Sequence, residues 1–177
     1  MSDKPDRKIY EQAFSDAIPQ NKALGLEVVE VARGRGVLRL PWKQALVGNP
    51  ETGVIHGGAI TTMLDACCGM AVATMLKTPQ PFATLDLRID YVRPATTGEA
   101  VIAEAECYRI TSNVAFTRAF AHHGDRSDPI AAASGTFMLA TKGTARNKEP
   151  LIKADDGNGI GGKGDGRQGD DGKGDGA

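Results

Sequence analysis

No sign of charge dominates this chain. Its 177 residues carry 21 Lys and Arg against 22 Asp and Glu, a formal net charge of −1. Blocks of like charge are missing as well. The electrostatic footprint that a nucleic-acid or membrane-surface partner demands is therefore absent. Cysteine is scarce: Cys67, Cys68 and Cys107, an odd number with two adjacent. The first eleven residues are polar and mixed in charge, unlike a secretory leader. Both observations argue against a disulfide framework and for a reducing cytoplasm. A clean membrane span is lacking too. The one candidate run, residues 53–76, holds Asp65 near its centre together with His56, Thr61 and Thr62, which a bilayer core penalises.

Glycine is what the C-terminus does have. Residues 154–177 contain ten Gly, and their only large apolar residue is Ile160. Six Asp against Lys163, Arg167 and Lys173 give this stretch −3, leaving +2 for the rest. Such a segment buries too little apolar area to offset chain entropy and is expected to be disordered. The remaining residues, about 150 of them, suffice for one domain with a real core. The organisation expected is an N-terminal helical segment (residues 1–20), one folded domain (21–142) and a C-terminal extension (143–177) ending in the Gly/Asp-rich tail.

Residues 5–18 are expected to form a short helix that Pro19 ends. Residues 24–31 and 37–40 read as two strands joined by a turn at Arg33-Gly34-Arg35-Gly36. Residues 41–55, marked by Pro41, Gly48, Pro50 and Gly53, read as a loop. From Gly57 or Gly58 to about Lys77 the pattern predicts one long helix, apolar round most of its circumference and so buried nearly all round. Four alternating strands follow, at 82–92, 100–110, 114–123 and 130–140. In the first of them Ala83, Leu85, Leu87, Ile89 and Tyr91 share one face, and Thr84, Asp86, Arg88 and Asp90 the other. Short polar turns between period-2 patterns mean an antiparallel meander. One helix and about six strands are most economically packed as a sheet curled around the helix, an α+β fold. Small residues (Ala103, Ala105, Ala115, Ala119) would line the inner face, and the sheet edges would be open to a second subunit.

The most informative segment is Gly48-Asn49-Pro50 followed by His56-Gly57-Gly58 and then the long helix. Among Asp, Glu, Lys, Arg and His, residues 52–76 contain only His56 and Asp65. A lone carboxylate in such surroundings loses hydration, which is costly unless compensated. Next to a glycine-lined helix start, it is a candidate for chemistry. Cys67-Cys68 and His122-His123 do not match a zinc-ligand spacing, so no metal is expected. A cysteine nucleophile is not indicated either, since no base is paired with one.

On these residues, with Thr84-Leu85-Asp86-Leu87, Asp90-Tyr91 and Gly135-Thr136-Phe137-Met138, the chain resembles the hotdog-fold acyl-CoA thioesterases of the phenylacetate-pathway (PaaI-like) group over residues 18–139. The resemblance implies a central helix wrapped by a curved antiparallel sheet, acyl-CoA as substrate and no cofactor, coenzyme A being part of the substrate. It implies Asp65 as nucleophile or general base, the Gly57 N–H as donor to the thioester carbonyl, Asn49 positioning the nucleophile or water, and His56 ordering the loop and acyl group. Gly58 and Thr84 would contact substrate, Thr84 standing where related enzymes often carry serine. Arg93, Arg109, Arg118 and Arg126 are candidates for the coenzyme A phosphates, each equally readable as a surface arginine. A hotdog-fold enoyl-CoA hydratase or dehydratase and a non-catalytic acyl-CoA-binding module remain open alternatives.

Helix geometry adds a constraint. Gly57 and Asp65 are eight residues apart, about 12 Å along one helix, whereas catalytic contact requires about 3 Å. If both act on one carbonyl, they come from different subunits. Two antiparallel helices about a two-fold axis give two identical sites. The expectation is thus a homodimer with shared sites, and the resemblance adds a possible dimer of dimers.

Overall fold

The computed structural model describes residues 5–139. Residue 140 onward, including the extension at 143–177 and its expected disorder, lies outside the described residues. The N-terminal segment contains α1 (Arg7–Tyr10), a π-helical stretch (Glu11–Asp16) and α2 (Pro19–Leu24). Pro19 therefore opens a second helix, contrary to the expectation that it only ends the first. It sits in the first turn of α2, where its missing N–H costs nothing. Leu24, read as the start of a strand, is instead the last residue of α2. Gly25 then stops the helix in the left-handed conformation at φ 74°, with its N–H bonded back to the Asn21 and Lys22 carbonyls.

The sheet has six strands: β1 (Glu27–Ala32), β2 (Arg35–Leu40), β5 (Phe82–Tyr91), β6 (Val101–Ile110), β7 (Val114–His122) and β8 (Ala131–Leu139). Every pairing is antiparallel, in the spatial order β1-β2-β6-β7-β8-β5. β1 and β2 join through Arg33-Gly34, with Gly34 at φ 72°. The stretch expected as loop adds a small ribbon, β3 (Val47–Asn49) with β4 (Val54–Ile55). This ribbon leads directly into α3 (Gly57–Ala73). α3 stops one turn short of Lys77 because Thr74 turns its hydroxyl back onto the Ala71 carbonyl at 2.7 Å. The same oxygen accepts the Gly34 N–H at 2.7 Å, which ties the helix end to the β1–β2 turn.

The sheet curves around α3, the hotdog arrangement. Met63, Leu64, Cys67, Cys68, Met70, Ala71 and Val72 of α3 are fully buried against inner-face Ala103, Ala105, Ala115 and Ala119. Gly36 allows the closest approach: a Cβ there would stand 2.6 Å from the Met70 methyl. The Cys67 thiol bonds the Gly36 and Ala103 carbonyls, both at 3.3 Å. Burial is not complete round the helix, however. Gly58, Thr61, Thr62, Asp65 and Ala66 form one stripe left open or half-open, at the 3–4-residue spacing of a single helix face.

The alternation in β5 breaks at one point. Thr84 faces Phe137 and Asp86 faces Thr136, so Leu85 is an extra residue in the ladder. A bulge of this kind reverses which side chains point inward. Phe82 and Thr84 thus share the inner face with Leu87, Ile89 and Tyr91, and Leu85 is left 56% exposed. The single-face reading of Ala83 through Tyr91 is corrected accordingly.

Candidate active site

Two groups of residues gather on the open stripe of α3. The first is its N-terminal turn. A helix start leaves its first N–H groups without intrahelical partners. Here the Gly58 N–H donates to His56 Nδ1 at 2.9 Å, and the Ala59 N–H to the His56 carbonyl at 3.0 Å. The Gly57 N–H has no partner among the described residues. It points outward at the positive end of the helix dipole. The cap also fixes His56: Nδ1 accepts, so the neutral ring carries its proton on Nε2.

Why the chain folds this way locally is legible in its glycines. A Cβ on Gly48 would lie 2.8 Å from His56 Cα, and one on Gly58 would lie 2.9 Å from His56 Nδ1. Glycine at both positions lets the ring sit between β3 and the helix. The His56 N–H donates to the Leu46 carbonyl at 2.8 Å. Asn49 closes the adjoining turn: its Oδ1 accepts the Glu51 N–H at 3.0 Å and its carbonyl accepts the Gly53 N–H at 2.8 Å. Its side-chain amide N–H groups remain uncommitted among the described residues. His56, Gly57 and Gly58 thus stand together at the helix start, with Gly58 committing its N–H to the His56 cap, while Asn49 follows Gly48, which packs on His56, and is held in its own turn. A cavity of about 400 Å³ opens beside them, between Gly48, His56, Gly58 and Thr62.

A clamp that sequence reasoning missed completes this end. The Tyr91 hydroxyl donates to the Gly57 carbonyl at 2.6 Å and stands 2.9 Å from Thr61 Oγ1. Having spent its proton on Gly57, the phenol accepts from Thr61. The last residue of β5 thereby fixes the first peptide of α3. The sequence offered one signal, Asp90-Tyr91, which carried the resemblance but had no role attached to it.

The second group is Asp65 with Thr84. Thr84 donates to Asp65 Oδ1 at 2.8 Å, which leaves Oδ2 free of protein donors among the described residues. The bulge at Leu85 is what turns Thr84 inward to make this bond. Asp65 is half-buried rather than engulfed, so one side of the carboxylate stays open. A cavity of about 390 Å³ adjoins it. Asp65 and Gly57 are not brought together within the chain: α3 runs unbroken between them.

The other candidates fall elsewhere. Arg93 bonds Asp128, Arg118 bonds Glu106 over the Tyr108 ring, and Arg126 lies over the Phe120 ring; Arg109 is exposed. A cavity of about 540 Å³ near Met75, Glu104 and Arg126 contains none of the other expected site residues. Burial pushes the Cys68 thiol up to about 12 and Cys67 well above its ordinary value. Both thiols are therefore held in the unreactive protonated form. Among the described residues no helix is long and apolar enough to cross a membrane.

Comparison with known proteins places this geometry. The thioesterase superfamily matches residues 52–130, a span that includes His56, Gly57, Gly58, Asp65 and Thr84. The medium/long-chain acyl-CoA thioesterase YigI of Salmonella typhimurium is 30% identical over 145 residues, which is 75% of this chain and 92% of that protein. A crystal structure of a Pseudomonas aeruginosa protein is similar at 46% identity and TM-score 0.67, over 73% of this chain and 96% of that one. A mutant of the phenylacetic acid degradation protein PaaI from Thermus thermophilus aligns at 26% identity and TM-score 0.60, over 68% and 98%.

Proposed function

Because the chain belongs to the thioesterase superfamily, as a PaaI-like member with the hotdog fold, we propose that it hydrolyses acyl-CoA thioesters to a free acid and coenzyme A, at sites shared between two copies of the chain. The observation that carries this reading is the open Gly57 N–H, on a glycine-lined helix start whose neighbouring N–H groups are all satisfied. A thioester carbonyl entering there gains a donor that strengthens as negative charge develops on its oxygen. One such donor is worth about 3 kcal/mol of transition-state stabilisation. With Oδ1 taken by Thr84, Asp65 works through Oδ2. As general base it accepts a proton from water while the water oxygen bonds the carbonyl carbon. The C–S bond then breaks, and the proton passes to the departing thiolate. As nucleophile its Oδ2 would bond that carbon while the C–S bond breaks and coenzyme A leaves as thiolate; water would then cleave the resulting anhydride, freeing the acid and Asp65, with the water proton passing to the thiolate. Asn49, through its uncommitted amide, and His56, through Nε2–H, orient the reactants. This chemistry calls on no metal or redox cofactor.

The pairing of subunits follows from the same geometry. About 12 Å of helix separates Asp65 from its own Gly57, so the donor and the carboxylate of one site come from two copies. β5 supports this, since among the described residues it pairs on one side only, with β8. Its free edge presents exposed Leu85 and Tyr91, and an unpaired edge of this length is a template for another strand. A second copy laid antiparallel along β5 would face Asp65 of one chain toward Gly57 of the other, twice over. Exposed Val29, Tyr108 and Met138 offer surface for pairing such dimers. Three free, buried thiols suit a reducing cytoplasm. The hydratase alternative is weakened by His56, whose Nδ1 is spent on the helix cap and cannot serve as a base.

The test is thiol release over a panel of acyl-CoA substrates, run on the wild type and Asp65→Asn together. The expected result is turnover by the wild type and a loss of at least about a hundredfold in kcat for a folded Asp65→Asn protein. Full activity in that variant removes Asp65 from the mechanism. Hydration of an enoyl-CoA with no thiol released would replace the reaction class.

A further inference from the structure

The cavity beside Asp65 has a closed end, and that end is built by the N-terminal segment. Its lining begins at Asp65 and Thr84 and continues along α3 to Gly69, one turn or about 6 Å deeper. At Gly69 three aromatic rings converge. A Cβ placed there would meet Phe82 at 3.4 Å, Phe137 at 3.8 Å and Phe14 at 3.9 Å. Phe82 and Phe137 belong to the sheet and pack edge to face, with ring centroids 6.1 Å apart. Phe14 is different, because it comes from the π-helical stretch outside the sheet-and-helix core. An extra residue per turn re-aims side chains, and such stretches recur at functional sites. This one is pinned by Asn21, which is 3% exposed and donates from Nδ2 to the Phe14 carbonyl at 2.8 Å. The Phe14 ring is further stacked on Tyr10 at 6.3 Å. Ile18 of the same segment lines the cavity as well.

We propose that this cavity takes the acyl chain and that Phe14, carried by the N-terminal segment, sets the chain length the site accepts. The proposal rests on the thioesterase reading for the placement of the carbonyl at Asp65. The ligand it names is an apolar chain, since beyond Asp65 and Thr84 the rings of Phe14, Phe82 and Phe137 gather at Gly69. A chain too long for it must displace Phe14, the aromatic part of the wall that the N-terminal segment builds with Ile18, Gln20 and Asn21. Phe14 is thus a specificity-determining residue, and Gly69 is the floor against which the chain ends.

The experiment has two arms on one acyl-CoA series, from acetyl to palmitoyl. Turnover is measured for the wild type, Phe14→Ala, Phe14→Trp and Gly69→Ala. Binding is measured by calorimetry on the same substitutions placed in Asp65→Asn. Phe14→Ala should shift the preferred length upward and Phe14→Trp downward. Each should change the long-to-short ratio of kcat/KM by at least about tenfold, the scale at which pockets discriminate methylenes. Gly69→Ala improves helix propensity and places its methyl in ordinary contact with the rings. It should fold well and trim the long-chain rate severalfold more than the acetyl-CoA rate. Opposite shifts from the two Phe14 variants are a signature that mere loosening of the segment does not produce. Unchanged length profiles in both arms overturn the proposal. Absence of wild-type turnover, with chain-length-dependent binding still shifting at Phe14, would instead overturn the hydrolase reading and leave the acyl site standing.

Discussion

α3 carries both halves of the site, but its two halves are held very differently. At the N-terminal turn nearly every polar group is committed within the chain. His56 caps Gly58, Tyr91 grips the Gly57 carbonyl, Thr61 bonds Tyr91, and the β3 turn backs the ring. A single backbone N–H is left open among the described residues. Among the same residues the Asp65 carboxylate has one partner, Thr84, on a strand whose outer edge is unpaired. In the proposed reading one end receives a carbonyl and the other presents the reactive group outward, so that each chain completes the rigid half of one site and offers the reactive half of another.

Changes at the finished end should break this contrast most sharply. Gly57→Pro removes the open N–H and little else. Proline suits the first helical position, and His56 before it is already extended at φ −61° and ψ 132°, as a residue preceding proline prefers. A loss of about a hundredfold to a thousandfold in kcat is expected, with the circular dichroism spectrum retained. Gly57→Ala is its control: it brings the same Cβ within 3.3 Å of the Tyr91 hydroxyl but keeps the N–H, so most activity should survive. Next in size is Tyr91→Phe. Losing one hydrogen bond to the helix start is worth about 1 kcal/mol, so kcat should fall about fivefold while KM barely moves. Adding Thr61→Val should cost little more, because the two hydroxyls act through one bond chain. An additive double variant would show that they act independently. At the other end, Thr84→Val should lower kcat severalfold, and Thr84→Ser should restore it. A pH–rate profile that moves with valine and returns with serine identifies Thr84 as acting on Asp65 rather than on packing.

The same contrast separates what was legible in the sequence from what was not. The helix start and the lone acid depend on local pattern and appear where periodicity placed them, but the four-strand meander does not: only β6-β7-β8 is one, and β5 crosses to the far side of β8, because period 2 marks a strand without naming its neighbour. The proposal of a second copy rests likewise on the rise of one helix. The face assigned to Thr84 is the instructive miss. Strict alternation put it opposite Leu87 and Tyr91, yet the bulge at Leu85 brings it inward to Asp65. A bulge adds a residue without changing composition, so a period-2 reading passes over it. Tyr91 was hidden for a related reason, since its role depends on where β5 ends relative to α3, a tertiary register. Pro19 misled because proline both stops helices and begins them. The residues after Pro19 settle the choice, because they form a helical turn closed at Gly25.

Subunit mixing tests the shared site most directly. Asp65→Ala and Gly57→Pro proteins, each inactive alone, are co-refolded in equal amounts and assayed for thiol release. In a two-fold dimer with shared sites, a mixed pair holds one site with both groups intact and one with neither. Random pairing then restores about a quarter of wild-type activity. If each chain used its own Gly57 and Asp65, every site in the mixture would lack one group and no activity would return. Recovery near a quarter is the result expected here, and a mixture as inactive as its components would contradict the account.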